Sequence, residues 1–240
     1  MSKGNYSGSP KNFMGVSFGK FRQKTTDTGQ KVDETTPGAV KRETQNGSAT
    51  FAIEYDFISG VIENIFYKDG GEYDGKRMKN TFEVVIADGP DKDQISFKED
   101  DRYWFAFMKK LPNIILDKPI KIIVYDFIGK DKKRVVGLQV EQDDNPNTIR
   151  KEKKDGSVVF QVLSYYDKKD GDKWTSLHGL PSGEGIDWKD EDDRKVHIIN
   201  VKKFLNAEFN EKFANKFTGI EHPEVDSSEP PIDEGDGLPF

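Results

Sequence analysis

The chain has 240 residues, 34% hydrophobic and 33% charged, with a formal net charge of −6. It contains no cysteine and only three histidines, so disulfides and thiolate chemistry are excluded, and zinc sites or histidine catalysis are not expected. No segment reaches the roughly 18 apolar residues of a membrane helix, and the first residues lack the apolar stretch of a signal peptide. We therefore expect a cytoplasmic protein without a membrane partner.

The negative charge is concentrated at one end of the chain. Residues 219–240 contain seven carboxylates and no lysine or arginine, which leaves residues 1–218 with a net charge of +1. A charge block of this kind is typical of a separate interaction tail. We predict a basic, largely flexible arm over 1–49, a folded domain over 50–218 and an acidic, disordered tail over 219–240. Within the arm, the aromatic and basic stretch Phe13–Lys24 is equally consistent with an extra strand of the body.

The folded domain begins with an alternating apolar pattern. Residues 51, 53, 55 and 57 are apolar and share one face, which predicts a strand. The apolar pattern resumes after Gly60 and continues to residue 67. A glycine inside such a run predicts a bulge or a sharp bend.

Two more strands, a helix and a further pair of strands follow. The predicted elements are strands 77–87 and 94–97, a helix within 99–112, and strands 120–128 and 134–141. Three strands, a helix and two strands is the element order of the OB-fold, a five-stranded Greek-key barrel with its helix between strands three and four. We therefore predict a mainly β fold of this architecture, with Phe51, Ile53, Phe82, Val84, Ile122 and Val124 in its core.

The rest of the domain predicts additional elements. Residues 158–166 predict another strand, and residues 173–177 predict its hairpin partner. Residues 190–217 have acids at their start and apolar residues at helical spacing, which predicts a C-terminal helix.

Basic and aromatic side chains alternate at three places in the domain. Bases of a single strand stack on aromatic rings while lysine and arginine bind its phosphates, and an OB-fold presents this surface on strands two and three and two of its loops. The alternative to DNA contact is burial in the core for each ring, and simple solvation on a turn for each lysine. The predicted DNA-binding residues are Tyr67, Tyr73, Arg77 and Lys79 near the first loop, Tyr125, Phe127, Lys130, Lys132, Lys133 and Arg134 near the second, and Tyr165, Tyr166, Lys169 and Trp174 on the later hairpin.

The last residues carry a family resemblance. A basic pocket can bind a terminal aromatic ring and its carboxylate together. The ending Asp236–Phe240 resembles that of bacterial single-stranded-DNA-binding proteins and their podophage (bacteriophage) counterparts, in which an OB-fold body precedes an acidic tail with a terminal phenylalanine. The bacterial ending is acids followed by Ile-Pro-Phe, so Gly237 and Leu238 depart from it. The resemblance implies that the partner-binding residues are Asp233, Glu234, Asp236, Leu238, Pro239 and Phe240.

The same resemblance implies a function. It implies binding and protection of single-stranded DNA during replication, recombination and repair, with no catalytic activity and no cofactor. The tail would recruit replication proteins such as polymerase, helicase-primase and nuclease, and it would compete with DNA for the binding groove as a tethered mimic. The sequence leaves open whether the chain forms a homo-oligomer.

Two other functions compete with this interpretation. The near-neutral body favours a scaffold or interaction protein whose tail is a docking peptide, without nucleic-acid contact. A metal-dependent nuclease is the weaker alternative, with Glu83, Asp88, Asp91 and Lys92 as its candidate residues. The sequence contains no phosphate-binding glycine loop, nucleophile elbow or histidine metal motif.

Overall fold

The structure is a computed structural model that describes residues 12–26, 28–43, 47–73, 75–170, 173–213 and 215–217, with only the backbone at positions 73, 76, 77, 170 and 173. The helices are α1 Arg102–Met108 and α2 Glu191–Phe213, with a 3₁₀ turn at Leu111–Asn113. The strands are β1 Asn12–Ser17, β2 Lys20–Gln23, β3 Ala39–Glu43, β4 Ala49–Tyr55, β5 Phe57–Lys68, β6 Glu72–Tyr73, β7 Lys76–Arg77, β8 Thr81–Asp88, β9 Asp91–Lys98, β10 Ile120–Ile128, β11 Arg134–Glu141, β12 Thr148–Glu152, β13 Val158–Val162, β14 Asp167–Asp170 and β15 Lys173–Ser176.

Eleven of these strands form one mixed sheet. Their order is β12-β13-β11-β10-β5-β8-β9-β1-β2-β4-β3. Only β1 and β9 are parallel neighbours; the other described neighbours in the sheet are antiparallel. The sheet does not close on itself, so β12 and β3 are its two edges. Outside it, β6 pairs with β7 and β14 pairs with β15 as separate hairpins.

The predicted five-stranded OB barrel is therefore wrong, although the fold is mainly β. The predicted order of strands and helix is present, but the strands pair differently. β1 covers the edge of β9, β2 lies between β1 and β4, and β13 pairs with β11. A five-stranded barrel needs those edges to pair with one another, and here other strands occupy them.

The N-terminal residues account for much of this difference. Residues 12–43 supply β1, β2 and β3, so the stretch Phe13–Lys24 belongs to the sheet, as the second of its two interpretations predicts. The late hairpin also differs from the prediction. Residues 158–162 form β13 and pair with the unpredicted β12, while β15 pairs with β14.

β5 changes its neighbour at Gly60. Residues before Gly60 pair with β10, and residues after it pair with β8. Gly60 has φ +146°, and a Cβ there would lie 2.3 Å from the carbonyl oxygen of Ala87, so the close approach requires glycine. A register shift between Ile62 and Asn64 then moves the buried positions from even to odd numbers. The predicted irregularity in this strand is confirmed.

The core lies between one face of the sheet, which we call the inner face, and the two helices. α1 begins at the cap Asp101, whose carboxylate accepts a hydrogen bond from the Trp104 amide at 2.8 Å, and it buries Trp104 and Phe107. In α2, Phe209 packs edge-on against Phe82, with ring centroids 5.3 Å apart. Each such side chain contributes about 1.5–3 kcal/mol by leaving water. Within the described residues, neither helix is long and apolar enough to cross a membrane.

A buried polar network fastens α2 to the sheet. The Tyr67 hydroxyl donates to the Asn206 side chain, whose amide donates to Glu99 at 3.0 Å. Lys202 forms an ion pair with Asp100 at 3.2 Å. Burial raises the pKa of Tyr67 well above its ordinary value, and burial also raises the pKa of Asp100 against the opposing effect of Lys202. The network therefore holds a neutral phenol at its centre.

Candidate nucleic-acid interface

The face of the sheet opposite the core, which we call the outer face, carries exposed rings on β5 and β10 and an exposed valine on β11. Along β10 the even-numbered residues 120, 122 and 124 are buried, so the odd-numbered side chains project outward. The register places Phe57 beside Ile123, and Phe127 beside Val135. Phe57 is 48% exposed and Phe127 is 53% exposed. We call the outward set the aromatic platform; it consists of Phe57, Lys121, Ile123, Tyr125, Phe127 and Val135.

Tyr125 lies across the neighbouring strand. Its register partner is Gly137, and a Cβ at Gly137 would lie 2.7 Å from the Tyr125 hydroxyl oxygen. Glycine therefore leaves room for the ring to cover the β11 backbone. The rings of Tyr125 and Phe127 have centroids 5.8 Å apart and planes inclined by 50°. Burial raises the pKa of Tyr125, so the phenol is neutral and the two rings form an uncharged surface.

A lysine covers the third ring of the platform. The Lys121 ammonium lies 3.8 Å from the centroid of the Phe57 ring, a cation–π contact worth about 0.5–1 kcal/mol at an exposed site. Phe57 and Lys121 lie on neighbouring strands whose register is set by the pairing of Phe57 with Ile123. The platform therefore combines a ring face with a cation at the end nearest β5.

Cations also lie at the other end of the platform, in the loop between β10 and β11. Lys130, Lys132 and Lys133 are exposed there, and within the described part of the chain they form no ion pair. Arg134 differs, because both its Nε and its Nη2 donate to the Asp126 carboxylate, at 2.9 and 2.8 Å. Three lysines without an ion-pair partner among the described residues therefore lie in the loop that follows Phe127.

Two of the predicted DNA-binding tyrosines are not on the surface, so these predictions are wrong. Tyr67 is 6% exposed and packs edge-on against Phe82. Tyr166 is buried, and its hydroxyl donates to Glu208 at 3.0 Å. Both rings lie under α2, which the sequence pattern located without showing what it covers.

The other predicted residues outside the platform lie on the two separate hairpins or beside them. Lys79 is exposed, whereas the side chains of Tyr73 and Arg77 lie outside the described residues. Tyr165 stacks on His178 with centroids 4.0 Å apart. Trp174 is 59% exposed, with the Lys169 ammonium 5.9 Å from its ring. The second predicted cluster lies on β10, β11 and the loop between them, in the eleven-stranded sheet. Of the described residues in the other two clusters, only Tyr67, on β5, belongs to that sheet.

Sequence reasoning did not single out Phe57 or Lys121 as candidate residues. The alternation placed Phe57 on the same face as residues 51, 53 and 55, but the chain bends at Asp56 and Phe57 begins a new strand. The exposed Asp56 inside an apolar run was the available signal. For Lys121, the signal was a cation alternating with the buried residues on either side of it.

The residues of the nuclease alternative have other partners. The buried Glu83 carboxylate accepts hydrogen bonds from Thr81 at 2.6 Å, Ser96 at 2.7 Å and Gln94 at 3.0 Å. Lys92 forms an ion pair with Glu63 at 2.6 Å. No group of three or more histidine, aspartate or glutamate side chains in the described ranges could hold a metal ion.

The six predicted partner-binding residues of the tail, Asp233, Glu234, Asp236, Leu238, Pro239 and Phe240, lie outside the described residues. Comparisons of the chain with protein-family models, with curated proteins and with solved structures gave no match.

Proposed function

We propose that the protein binds single-stranded DNA through the aromatic platform. The observation that supports this proposal is the exposure of Phe57 and Phe127 on one sheet face, with cations at both ends of the platform. Rings of this size are normally buried, and an exposed group of them marks a binding surface. Stacking of bases on such rings contributes about 1–3 kcal/mol per base, without regard to sequence.

The overall negative charge does not oppose this proposal. Seven carboxylates lie in residues 219–240, and the remaining residues have a net charge of +1. The lysines that follow Phe127 have no carboxylate partner among the described residues. Phosphate binding by these lysines would release counterions, so we expect binding to weaken as salt rises.

The wider role belongs to the same proposal and depends on the sequence resemblance. It is the protection of single-stranded DNA during replication, recombination and repair, with recruitment of replication proteins by residues 219–240. Binding of this kind requires no cofactor and no catalytic group.

Fluorescence anisotropy with labelled oligo(dT) tests the platform directly. Phe57→Ala and Phe127→Ala should each weaken binding by about 5- to 100-fold, because each removes a stacking surface. Trp174→Ala is the comparison variant, because it removes a ring of similar exposure from the β14–β15 hairpin, the third cluster predicted from the sequence. If the platform is the interface, this variant should leave the affinity unchanged. Unfolding midpoints of all three variants should show that the fold is intact.

Other results would point elsewhere. If Trp174→Ala weakens binding and the platform variants do not, the interface is on the β14–β15 hairpin. If the wild-type chain binds no oligonucleotide, the scaffold protein with a docking tail becomes the better interpretation.

A further inference from the structure

A second group of rings and cations, most of them at least partly exposed, lies on the outer face of β1 to β4 and at the end of β9. On β1 and β9 the side chains of Met14 and Phe97 face the core, so those of the adjacent residues Phe13 and Lys98 project outward. The register then places Arg22 of β2 beside Glu54 of β4. We call this group the cationic patch; its members are Phe13, Phe18, Lys20, Arg22, Lys24, Arg42, Glu54 and Lys98.

One carboxylate in the patch, that of Glu54, contacts two guanidinium groups. Glu54 accepts two hydrogen bonds from Arg42, at 3.0 and 2.8 Å, and lies 3.0 Å from the Nε of Arg22. The hydrogen bonds from Arg42 lower the pKa of Glu54 in spite of its partial burial, so the carboxylate is ionised. The three side chains together therefore keep one positive charge in excess.

Two further lysines belong to the patch. Lys24 and Lys98 form no ion pair within the described ranges. The pKa of Lys24 is lowered by partial burial and then by the positive charges of Arg22 and Lys98. These cations repel one another and have no carboxylate partner among the described residues. An anion from solution would therefore relieve the repulsion.

The patch also presents rings. Phe13 is 53% exposed and Phe18 is 40% exposed. Two guanidinium groups lie near the ring of Phe18, with centroid distances of 5.3 Å to Arg22 and 5.8 Å to Arg42. Rings beside uncompensated cations are the same combination that the aromatic platform presents.

The patch and the platform meet at one point of the fold. Lys20 forms an ion pair with Asp56, and Asp56 directly precedes Phe57, the first ring of the platform. The two surfaces therefore lie on the same face of one sheet, joined at the junction of β4 and β5.

We infer that the cationic patch is a second subsite for the same strand of nucleic acid. Phosphates of a strand that continues past the platform bind Lys24, Lys98 and Arg42, and its bases pack against Phe13 and Phe18. This inference rests on the proposed function, because it assigns the part of the ligand that the platform does not hold. A short oligonucleotide should fill the platform alone, and a longer one should reach the patch.

A length series of oligo(dT) tests the inference. With an oligonucleotide of about 20 residues, the double variant Lys24→Ala/Lys98→Ala should lower the slope of log K against log salt by about 1.4, or about 0.7 per lost phosphate contact. With one of about 5 residues, which is near the smallest known site size, the slope should not change. Phe127→Ala should weaken the binding of both.

The control is Lys189→Ala/Lys203→Ala, which removes two exposed lysines that lie outside the sheet. An unchanged slope for the long oligonucleotide in the patch variant overturns the inference, and so does an equal loss of slope in the control. In both cases the platform proposal stands as long as Phe127→Ala weakens binding. If the wild type binds neither oligonucleotide, the proposed function itself fails and the second subsite fails with it.

Discussion

Tyr67 and Phe57 lie on the same strand and have opposite surroundings. Tyr67 follows the register shift in β5, so its ring enters the core and its hydroxyl donates to Asn206. Phe57 precedes Gly60 and faces outward, where Lys121 covers it. The position of a ring relative to one irregular stretch therefore decides whether it stabilises the fold or is available to a ligand.

The first prediction at the residue scale concerns Tyr67. Tyr67→Phe should lower the free energy of unfolding by about 1–2 kcal/mol, because the side chain of Asn206 loses a buried donor. Urea denaturation should show a lower midpoint with an unchanged m-value. The affinity for oligo(dT) should stay the same, since the ring is not on the surface.

Tyr125→Phe is the matched control for this experiment. Its hydroxyl has no hydrogen bond within the described residues, so the change in stability should stay within about 0.5 kcal/mol. Weaker DNA binding by Tyr67→Phe at unchanged stability would show that Tyr67 belongs to the interface after all.

At the residue scale, the sequence pattern predicted the burial of some side chains and not of others. Alternation correctly predicted Phe82, Val84, Ile122 and Val124 as core residues, whereas the predicted core residues Phe51 and Ile53 are only partly buried. It misplaced Phe57 because alternation assumes that a strand continues, and the chain bends at Asp56. It also could not show that α2 covers Tyr67 and Tyr166, because that contact joins residues far apart in the sequence.

At the scale of elements, β5 joins two parts of the sheet. It holds β10 on one side of Gly60 and β8 on the other, so a single chain segment connects the platform to the rest of the sheet. The backbone there leaves no space for a side chain, because Ala87 lies against it.

Gly60→Ala tests this role. The new Cβ would meet the Ala87 carbonyl oxygen at 2.3 Å, and φ +146° is unfavourable for alanine, so the free energy of unfolding should fall by about 3 kcal/mol or more. Gly29→Ala is the control, because Gly29 also has a positive φ, +81°, but open space around it, and it should cost only about 1–2 kcal/mol. Equal losses in the two variants, measured by urea denaturation, would argue against the close approach at Gly60.

Element boundaries were easier to predict than element pairing. Strands 120–128 and 134–141 have the predicted bounds because a run of alternating residues ends at a polar turn on each side. The pairing of β1 with β9 joins segments about 80 residues apart, and no local pattern encodes such a contact. Two short strands, β3 and β12, were missed because their side chains are mostly exposed and polar.

At the scale of the whole molecule, the two faces of the sheet differ in what covers them. The inner face is covered by α1 and α2 and holds the core. The outer face carries the platform and the cationic patch, and neither helix covers their rings. An open sheet with one face buried and one face presenting rings and cations suits a long, flexible, negatively charged ligand.

The proposed function predicts a preference for single-stranded nucleic acid over a duplex. A duplex stacks its bases inside, so the rings of the platform would have no base faces to contact, and only the lysines could bind it. Preference for the single strand is therefore the property that separates stacking from simple charge attraction.

The most direct test is an anisotropy titration of the full chain with labelled oligo(dT) and with a duplex of equal length, at two salt concentrations. We predict tighter binding to the single strand at both, with both affinities falling as salt rises. Equal or tighter binding to the duplex, or no binding to either, would contradict the account.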